Sequence, residues 1–157
     1  MGRSVAKAAV GKWQELRTVT KDSSLRDAVE LMVTEGLSSV PVVERPNSLK
    51  PTDVLCKADV VRLLATTKSE QPTNLYSTIM TATVDDALRS RDPRDNIDPP
   101  FCSFKDSVVS VIDKTLAYKD FRCIFALDDA GRLMGAISVS DLMRHIMTQR
   151  IRPPLTG

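Results

Sequence analysis

The sequence predicts an α+β fold in which two βαββα units, related by a pseudo-twofold axis, pack sheet to sheet. Stretches with the apolar pattern of β-strands alternate with stretches of helical period along the 157 residues. The same order of elements recurs from Cys102 onward. Each unit alone offers an apolar sheet face that is too small to form its own core. The 42% hydrophobic and 27% charged residues are an ordinary globular balance, which argues against disorder.

The range 1–15 is predicted as an N-terminal helix and linker. Residues 5–10 are rich in alanine and valine, and Gly11 suits the position just past a helix end. A short strand over 16–19 follows, and 22–24 supply an N-cap for the next helix. Apolar residues with helical spacing form one face of that helix, which Gly36 ends. They are Leu25, Ala28, Val29, Met32 and Val33.

Two strands and a helix complete the first predicted unit, which spans 16–66. Residues 39–43 indicate a buried strand. Within it, Pro41 favours an edge position or a strand start, because proline has no N–H to donate to a ladder. A polar loop with two prolines comes next. Residues 54–56 then predict a strand and residues 60–65 a helix.

The range 67–99 is predicted as linker and insert. Residues 66–73 are polar and include Pro72, which makes them the best linker candidate. Asp85 and Asp86 open a short helix through Arg89. Residues 92–100 are charged and proline-rich, and we expect a surface loop or mobile insert there. At the other end of the chain, 150–157 is predicted as a flexible tail.

An internal repeat relates the second predicted unit, 100–149, to the first. The tripeptide at 21–23 recurs as Lys-Asp-Ser at 105–107, which is 84 positions later. This match continues without a gap through the strand at 39–43. After the following loop the separation becomes 82 positions, which pairs Asp59 with Asp141. Repetition of a whole βαββα unit is a strong indication of two related domains.

Each unit contains a place where a strand runs directly into a helix. In the second unit this stretch is Gly135–Met143, and in the first it is Val54–Arg62. Ser140 and Asp141 suit the N-cap of the later helix. Hydroxyls, a carboxylate and free backbone N–H groups would meet at such an edge, which suits ribose hydroxyls and phosphate. The alternative is that the aspartates only cap their helices.

Composition excludes several functions. A net charge of +2 is too small to indicate nucleic acid or an anionic membrane as the main partner, and 4% aromatic residues provide no stacking platform. No apolar run reaches the roughly 18–20 residues of a membrane helix. Cys56, Cys102 and Cys123 lack metal spacing and predict buried thiols in a reducing, cytoplasmic setting. His145 is the single histidine, which excludes most histidine-dependent zinc and catalytic sites. We predict no catalytic and no metal-binding residues.

The repeat resembles a tandem pair of cystathionine-β-synthase-type (CBS) domains, together called a Bateman module. The matching stretches are Thr-Val-Thr-Lys-Asp-Ser-Ser-Leu-Arg-Asp-Ala at 18–28, Ser-Ser-Val-Pro-Val-Val-Glu at 38–44 and Gly-Ala-Ile-Ser-Val-Ser-Asp-Leu at 135–142. The chain is also similar, more narrowly, to the C-terminal CBS pair of the gamma subunit of AMP-activated protein kinase. Residues 10–13, 56–60, 74–75, 121–122 and 138–141 carry that similarity.

The resemblance implies that an adenine nucleotide (AMP, ADP or ATP) binds in clefts between the repeats as a regulatory ligand, with no cofactor. The positions it assigns are Asp141 and Asp59 for ribose hydroxyls, Ser138 and Ser140 for ribose or phosphate, Arg122 and Lys57 for phosphate, Val40, Pro41 and Ile124 for an apolar base slot, and Thr20 and Ser38 for polar lining. The chain departs from the gamma pattern at Phe121, where that pattern has histidine. Cys56 likewise stands where ligand-binding copies often have serine or threonine.

The function implied is a non-catalytic regulatory module that signals energy status to a kinase-like partner. One module would leave an apolar helical face, so a homodimer or a larger kinase complex is expected. The alternative is a structural or oligomerisation module with degenerate nucleotide pockets. An enzyme would need a catalytic motif such as GxSxG, a P-loop or GxGxxG, and the sequence contains none of these.

Overall fold

Two compact units make up the computed structural model, which describes residues 3–67, 72–95, 98–118 and 120–151. One unit is Arg17–Pro99, and the other combines Met1–Leu16 with Pro100–Gly157. Each unit contains a three-stranded sheet whose central strand has a parallel neighbour on one side and an antiparallel neighbour on the other. The predicted α+β class and the βαββα order of each repeat are therefore confirmed.

The unit Arg17–Pro99 begins with the five elements of the first repeat. They are β1 (Val19–Thr20), α1 (Leu25–Glu35), β2 (Ser39–Val43), β3 (Pro51–Cys56) and α2 (Lys57–Thr66). The ends of α1 follow from local signals. The Ser24 hydroxyl accepts a hydrogen bond from the Asp27 N–H at 3.1 Å, and Gly36 adopts the left-handed conformation at φ 65°. The predicted cap and stop of this helix are both confirmed.

Two predictions about packing in this unit are wrong. Val33 is 75% exposed, because α1 buries the stripe of Leu25, Ala28 and Met32 and Val33 lies one helical step beyond it. Pro41 lies in the central strand β2 rather than at an edge. The strand tolerates it because β1 pairs only with Val42 and Val43, so the part of β2 that holds Pro41 has a ladder neighbour on one side only.

Two further helices and a short turn follow the first repeat. They are α3 (Pro72–Thr81), α4 (Val84–Arg89) and a 3-10 turn at Pro93–Asp95. Helix α4 confirms the predicted short helix, and its core residues Val84, Ala87 and Leu88 pack with α1 and β2. The sequence does not predict α3, because Pro72 reads as a linker residue although it also suits the first turn of a helix. Residues 68–71 and 96–97 of the predicted linker and insert lie outside the described residues.

The other unit repeats the same order of elements. They are β4 (Phe101–Ser103), α5 (Val108–Ala117), β5 (Cys123–Leu127), β6 (Leu133–Ser138) and α6 (Val139–Ile151). Both sheets have an irregularity in strand register at equivalent places, between Val42 and Val43 in β2 and between Ala126 and Leu127 in β5. The repeat therefore extends to details of strand pairing. Residues 150 and 151 of the predicted tail belong to α6, contrary to the prediction, and residues 152–157 lie outside the described residues.

The N-terminal segment is not a helix, contrary to the prediction. Residues 5–9 form turns, and the positive φ angle of Ala9 (53°) is incompatible with a continuous helix over residues 5–10. Val5 and Val10 are both buried in the core of the second-repeat unit. Two backbone hydrogen bonds fix this arrangement, because the Lys12 N–H donates to the Ala136 carbonyl at 2.8 Å and the Ala136 N–H donates to the Lys12 carbonyl at 2.8 Å. Burial of both valines and pairing with β6 outweigh the helical preference of the alanines.

Candidate functional site

The first turn of α6 brings together three predicted nucleotide-binding residues, which we call the α6 site: Arg122, Ser138 and Asp141. The Ser138 hydroxyl accepts the Asp141 N–H at 3.0 Å, and the Asp141 Oδ2 accepts the Ser138 N–H at 2.9 Å. This reciprocal pair is a capping box. The Val139 N–H donates to the Arg122 carbonyl at 3.0 Å, which places Arg122 beside the same turn.

The capping box corrects the predicted start of α6. Ser138 is the N-cap and Asp141 is the third helical residue, so neither Ser140 nor Asp141 is the N-cap. The sequence carries the signal, because Ser-Val-Ser-Asp at 138–141 has the spacing of serine followed three residues later by an acid. Ser140 lies in the first turn with its side chain exposed.

Asp141 retains hydrogen-bonding capacity and access to solvent. Its side chain is 25% exposed, and its second contact is a hydrogen bond from Arg144 Nη1 to Oδ1 at 3.4 Å. An ionised carboxylate accepts about four hydrogen bonds, so this group can accept more from a ligand. Burial, followed by the charge of Asp141, raises the pKa of the neighbouring Cys123 thiol to about 12. Cys123 is therefore a neutral thiol at pH 7.

Asp59, the equivalent residue of the first repeat, differs from Asp141 in burial and in the number of its hydrogen bonds. Its side chain is fully buried. Arg62 Nη1 donates to Oδ1 at 2.6 Å, while Arg91 donates from Nε to Oδ1 at 2.7 Å and from Nη2 to Oδ2 at 2.8 Å. The Cys56 N–H and thiol also donate to Oδ2, at 2.9 and 3.4 Å. These contacts use the full acceptor capacity of the carboxylate.

Arg91 ties this cluster to neighbouring elements. Its Nη1 donates to Asp53 Oδ1 at 3.1 Å and its Nη2 donates to the Val54 carbonyl at 2.8 Å. Burial alone would raise the pKa of Asp59, but the hydrogen bonds from Arg91 and the Cys56 N–H, with the Arg91 charge, hold that pKa below its usual value. Sequence reasoning missed Arg91, because no local pattern relates it to a carboxylate in another element.

The other polar residues predicted in the first repeat lie near the ends of its strands. The Lys57 N–H donates to the Ser38 carbonyl at 3.3 Å, so these two residues are neighbours, and the Lys57 side chain is exposed. Thr20 lies in β1, where its hydroxyl is 3.1 Å from the Ser23 hydroxyl. Ser38 and Lys57 are thus brought to the edge where α2 begins, and Thr20 belongs to a local turn.

The three residues predicted to contact the nucleotide base, Val40, Pro41 and Ile124, lie within strands β2 and β5. Val40 is 0% exposed and belongs to the core of the first-repeat unit, and Ile124 is 2% exposed in the core of the other unit. Pro41 is buried next to Val40 in β2. The side chains of Val40 and Ile124 are therefore part of the two cores.

A cavity of about 440 Å³ lies elsewhere, among α2, α3 and α4. Its described lining residues are Leu63, Thr66, Thr78, Thr81, Ala82, Asp86, Arg89 and Ser90. None of these is a predicted nucleotide-binding residue. In the described part of the chain no cluster of histidine, cysteine, aspartate and glutamate could hold a metal ion. No described helix combines the length and apolar character that a membrane crossing requires.

Comparisons with solved structures show the fold. The CBS-pair protein CBSX2 from Arabidopsis thaliana is 20% identical, with a TM-score of 0.74 over 98% of this chain and 100% of that chain. A structure of CBSX2 in complex with AMP is 20% identical, with a TM-score of 0.68 over 95% of this chain and 99% of that chain. A CBS domain-containing protein of unknown function from Kribbella flavida is 22% identical, with a TM-score of 0.66 over 93% and 99% of the two chains.

These identities are low, so the structural similarity by itself shows a shared fold. A search of curated proteins by sequence gave no match. The family model of the CBS domain matches twice, at residues 12–66 and 94–148. The match indicates no enzyme family, and CBS-pair proteins are generally regulatory modules without catalytic activity. Because the two matches cover most of the sequence and coincide with the two structural repeats, the chain belongs to the CBS domain family.

Proposed function

We propose that this chain is a regulatory module that binds an adenine nucleotide at the α6 site. The observation that carries the proposal is the partly exposed carboxylate of Asp141, which the Ser138 capping box holds at the first turn of α6. A carboxylate in this position accepts hydrogen bonds from ribose hydroxyls. Arg122, whose side chain is exposed beside the same turn, supplies positive charge for phosphate. The AMP complex of CBSX2, which has the same fold, supports the choice of ligand class.

Thermal unfolding with a ligand panel tests this function. A ligand at 100 times its dissociation constant stabilises a protein by about 2.7 kcal/mol, which raises Tm by roughly 5–10 °C for a chain of this size. We expect a shift with AMP, ADP or ATP and none with S-adenosylmethionine. If no nucleotide shifts Tm at millimolar concentration, the proposal fails.

The module would report nucleotide levels to a partner, and we propose a kinase-like protein or complex as that partner. The basis is the similarity that the sequence analysis predicts to the gamma subunit of AMP-activated protein kinase. A cytoplasmic location also stays a prediction. Pull-down of a purified kinase complex with and without AMP tests the idea. A captured kinase whose activity does not respond to AMP would contradict nucleotide signalling, and a failure to capture any kinase would contradict the proposed partner.

Self-association is part of the proposal. Large apolar side chains are exposed on α5 and α6: Val109, Leu116, Met143, Ile146 and Met147. Such a face is expected to be covered by another protein surface, and we propose a second copy of this chain. Light scattering should give a homodimer that Met143→Glu dissociates, and a strict monomer at high concentration would contradict this.

A structural or oligomerisation module with degenerate pockets is the second candidate. One observation favours this candidate. Hydrogen bonds within the protein occupy both oxygens of the Asp59 carboxylate, so that group has no acceptor left for a ligand. The two candidates differ in the ligand panel above. A homodimer that binds no nucleotide would support the structural module.

A further inference from the structure

We propose that Arg91 closes the Asp59 position to ligands, so that the chain binds one nucleotide through Asp141 instead of two. This inference rests on the proposed nucleotide binding and adds its stoichiometry. Arg91 then donates to the same Asp59 oxygens that would otherwise accept hydrogen bonds from the hydroxyls of a ligand.

The two positions share a common design. Asp59 and Asp141 are both the third residue of a helix that follows directly from a strand. In each case Oδ2 accepts the N–H of the residue before the helix, at 2.9 Å from Cys56 and at 2.9 Å from Ser138. An arginine three residues later donates to Oδ1 in both, which is Arg62 at 2.6 Å in one and Arg144 at 3.4 Å in the other.

Arg91 is what distinguishes the first position from the second. It comes from the segment after α4, outside the repeated βαββα unit, and donates to both oxygens of Asp59. The side chain of Asp59 is 0% exposed as a result of this packing, against 25% for Asp141. Among the residues that the structure describes, no second arginine donates to Asp141. Only the second position therefore presents an acceptor to solvent.

A ligand would not readily displace Arg91. Its guanidinium is held by Asp53 and the Val54 carbonyl as well as by Asp59, and the Ser90 hydroxyl donates to the Asp59 carbonyl at 3.3 Å. Displacement would separate Arg91 from Asp53 and Asp59 and leave the buried Asp59 carboxylate with part of its compensating charge removed, which is unfavourable. A neutral ribose hydroxyl could restore a hydrogen bond to Asp59 but could not replace the positive charge.

The test is the number of AMP molecules bound per chain, measured by titration calorimetry and native mass spectrometry on the full chain. We expect one AMP for the wild type and for Arg94→Ala, a matched control whose arginine pairs with exposed Asp92 in the same segment. We expect two AMP molecules for Arg91→Ala. In this variant Arg62 still pairs with Asp59, and the carboxylate oxygens that Arg91 occupied can accept hydrogen bonds from a ligand. The double variant Arg91→Ala/Asp59→Asn should return to one.

Each outcome decides between the two proposals. Two AMP molecules on the wild type would overturn the closure by Arg91 and leave nucleotide binding intact. Loss of the single site in Asp59→Asn, with binding kept in Asp141→Asn, would also overturn it. No binding to wild type but one AMP on Arg91→Ala would support closure and refute the function proposed for the α6 site. No binding to either protein would overturn both. If Arg91→Ala does not fold, the wild-type stoichiometry and Asp59→Asn still decide the question.

Discussion

Arg91 and Asp59 are 32 residues apart and are joined by two hydrogen bonds, from Nε to Oδ1 at 2.7 Å and from Nη2 to Oδ2 at 2.8 Å. Both side chains are shielded from water, with 13% and 0% exposure. A charged pair this deeply placed is sensitive to loss of either partner, because the remaining charge is left buried. The pair therefore fixes the segment after α4 onto the start of α2.

Removing the arginine should destabilise the fold. We expect Arg91→Ala to lower the free energy of unfolding by about 3 kcal/mol, near the lower end for a broken buried pair because Arg62 still contacts Asp59. Urea denaturation measures this change. Arg94→Ala, which removes an exposed ion pair, should leave the midpoint almost unchanged. Equal losses in the two variants would contradict a structural role for Arg91.

The same cluster predicts a loss of stability in acid. The pKa of Asp59 is held below its usual value of 3.8 in the folded protein, so the unfolded chain takes up this proton first as pH falls. The stabilisation is present above about pH 4 and is lost as pH falls through the folded pKa. Urea midpoints at pH 7, 4 and 3 should fall more steeply for wild type than for Asp59→Asn. If the urea midpoints of the two proteins fall in parallel as pH is lowered, a group other than Asp59 causes the loss of stability in acid.

Ser138 and Ser140 should respond differently to alanine substitution. Ser138→Ala removes the hydroxyl that accepts the Asp141 N–H, and we expect a loss of about 1 kcal/mol in the free energy of unfolding. Ser140→Ala changes an exposed position in the first turn and should have a much smaller effect. Chemical denaturation of both variants distinguishes them. A larger loss of unfolding free energy in Ser140→Ala than in Ser138→Ala would show that Ser140 is the N-cap of α6.

Gly11 should tolerate substitution less well than Gly36. An added Cβ at Gly11 would collide with the Ala136 carbonyl oxygen, and the backbone there has φ 95°. At Gly36 the φ is 65° and nothing lies within 4 Å of an added Cβ. We expect Gly36→Ala to lose about 1 kcal/mol from left-handed strain alone and Gly11→Ala to lose more, as measured by Tm. Similar shifts would mean that the N-terminal segment does not pack against β6 as described.

The elements that sequence reasoning predicts correctly are those with local causes. Ser24 and Gly36 bound α1 through contacts within a few residues, and the repeat at 84 positions predicts the matching strands of both units. The N-terminal segment is mispredicted because the burial of Val5 and Val10 depends on a core formed by residues after 100. Pro41 is misplaced because no local sequence pattern shows that β1 pairs with β2 only at Val42 and Val43.

The candidate site shows the same limit. The Ser138 capping box is written in the sequence, yet the adjacent Ser140 and Asp141 suit an N-cap equally well by type. The state of Asp59 could not be predicted, because Arg91 reaches it from an element 32 residues away. Cys56, in place of serine or threonine, already makes the two half-sites unequal in the sequence. The contacts of Arg91 with Asp59 add a second difference, which the sequence does not predict.

The most direct measurement of the central claim is the affinity of AMP for wild type and Asp141→Asn by titration calorimetry. Asparagine keeps an oxygen for the Ser138 N–H, so the helix start is preserved while the charge is lost. A charge-assisted hydrogen bond contributes about 1.5–3 kcal/mol, so the Kd should rise roughly 10- to 100-fold. A Kd that does not change in Asp141→Asn would show that AMP does not bind through this carboxylate.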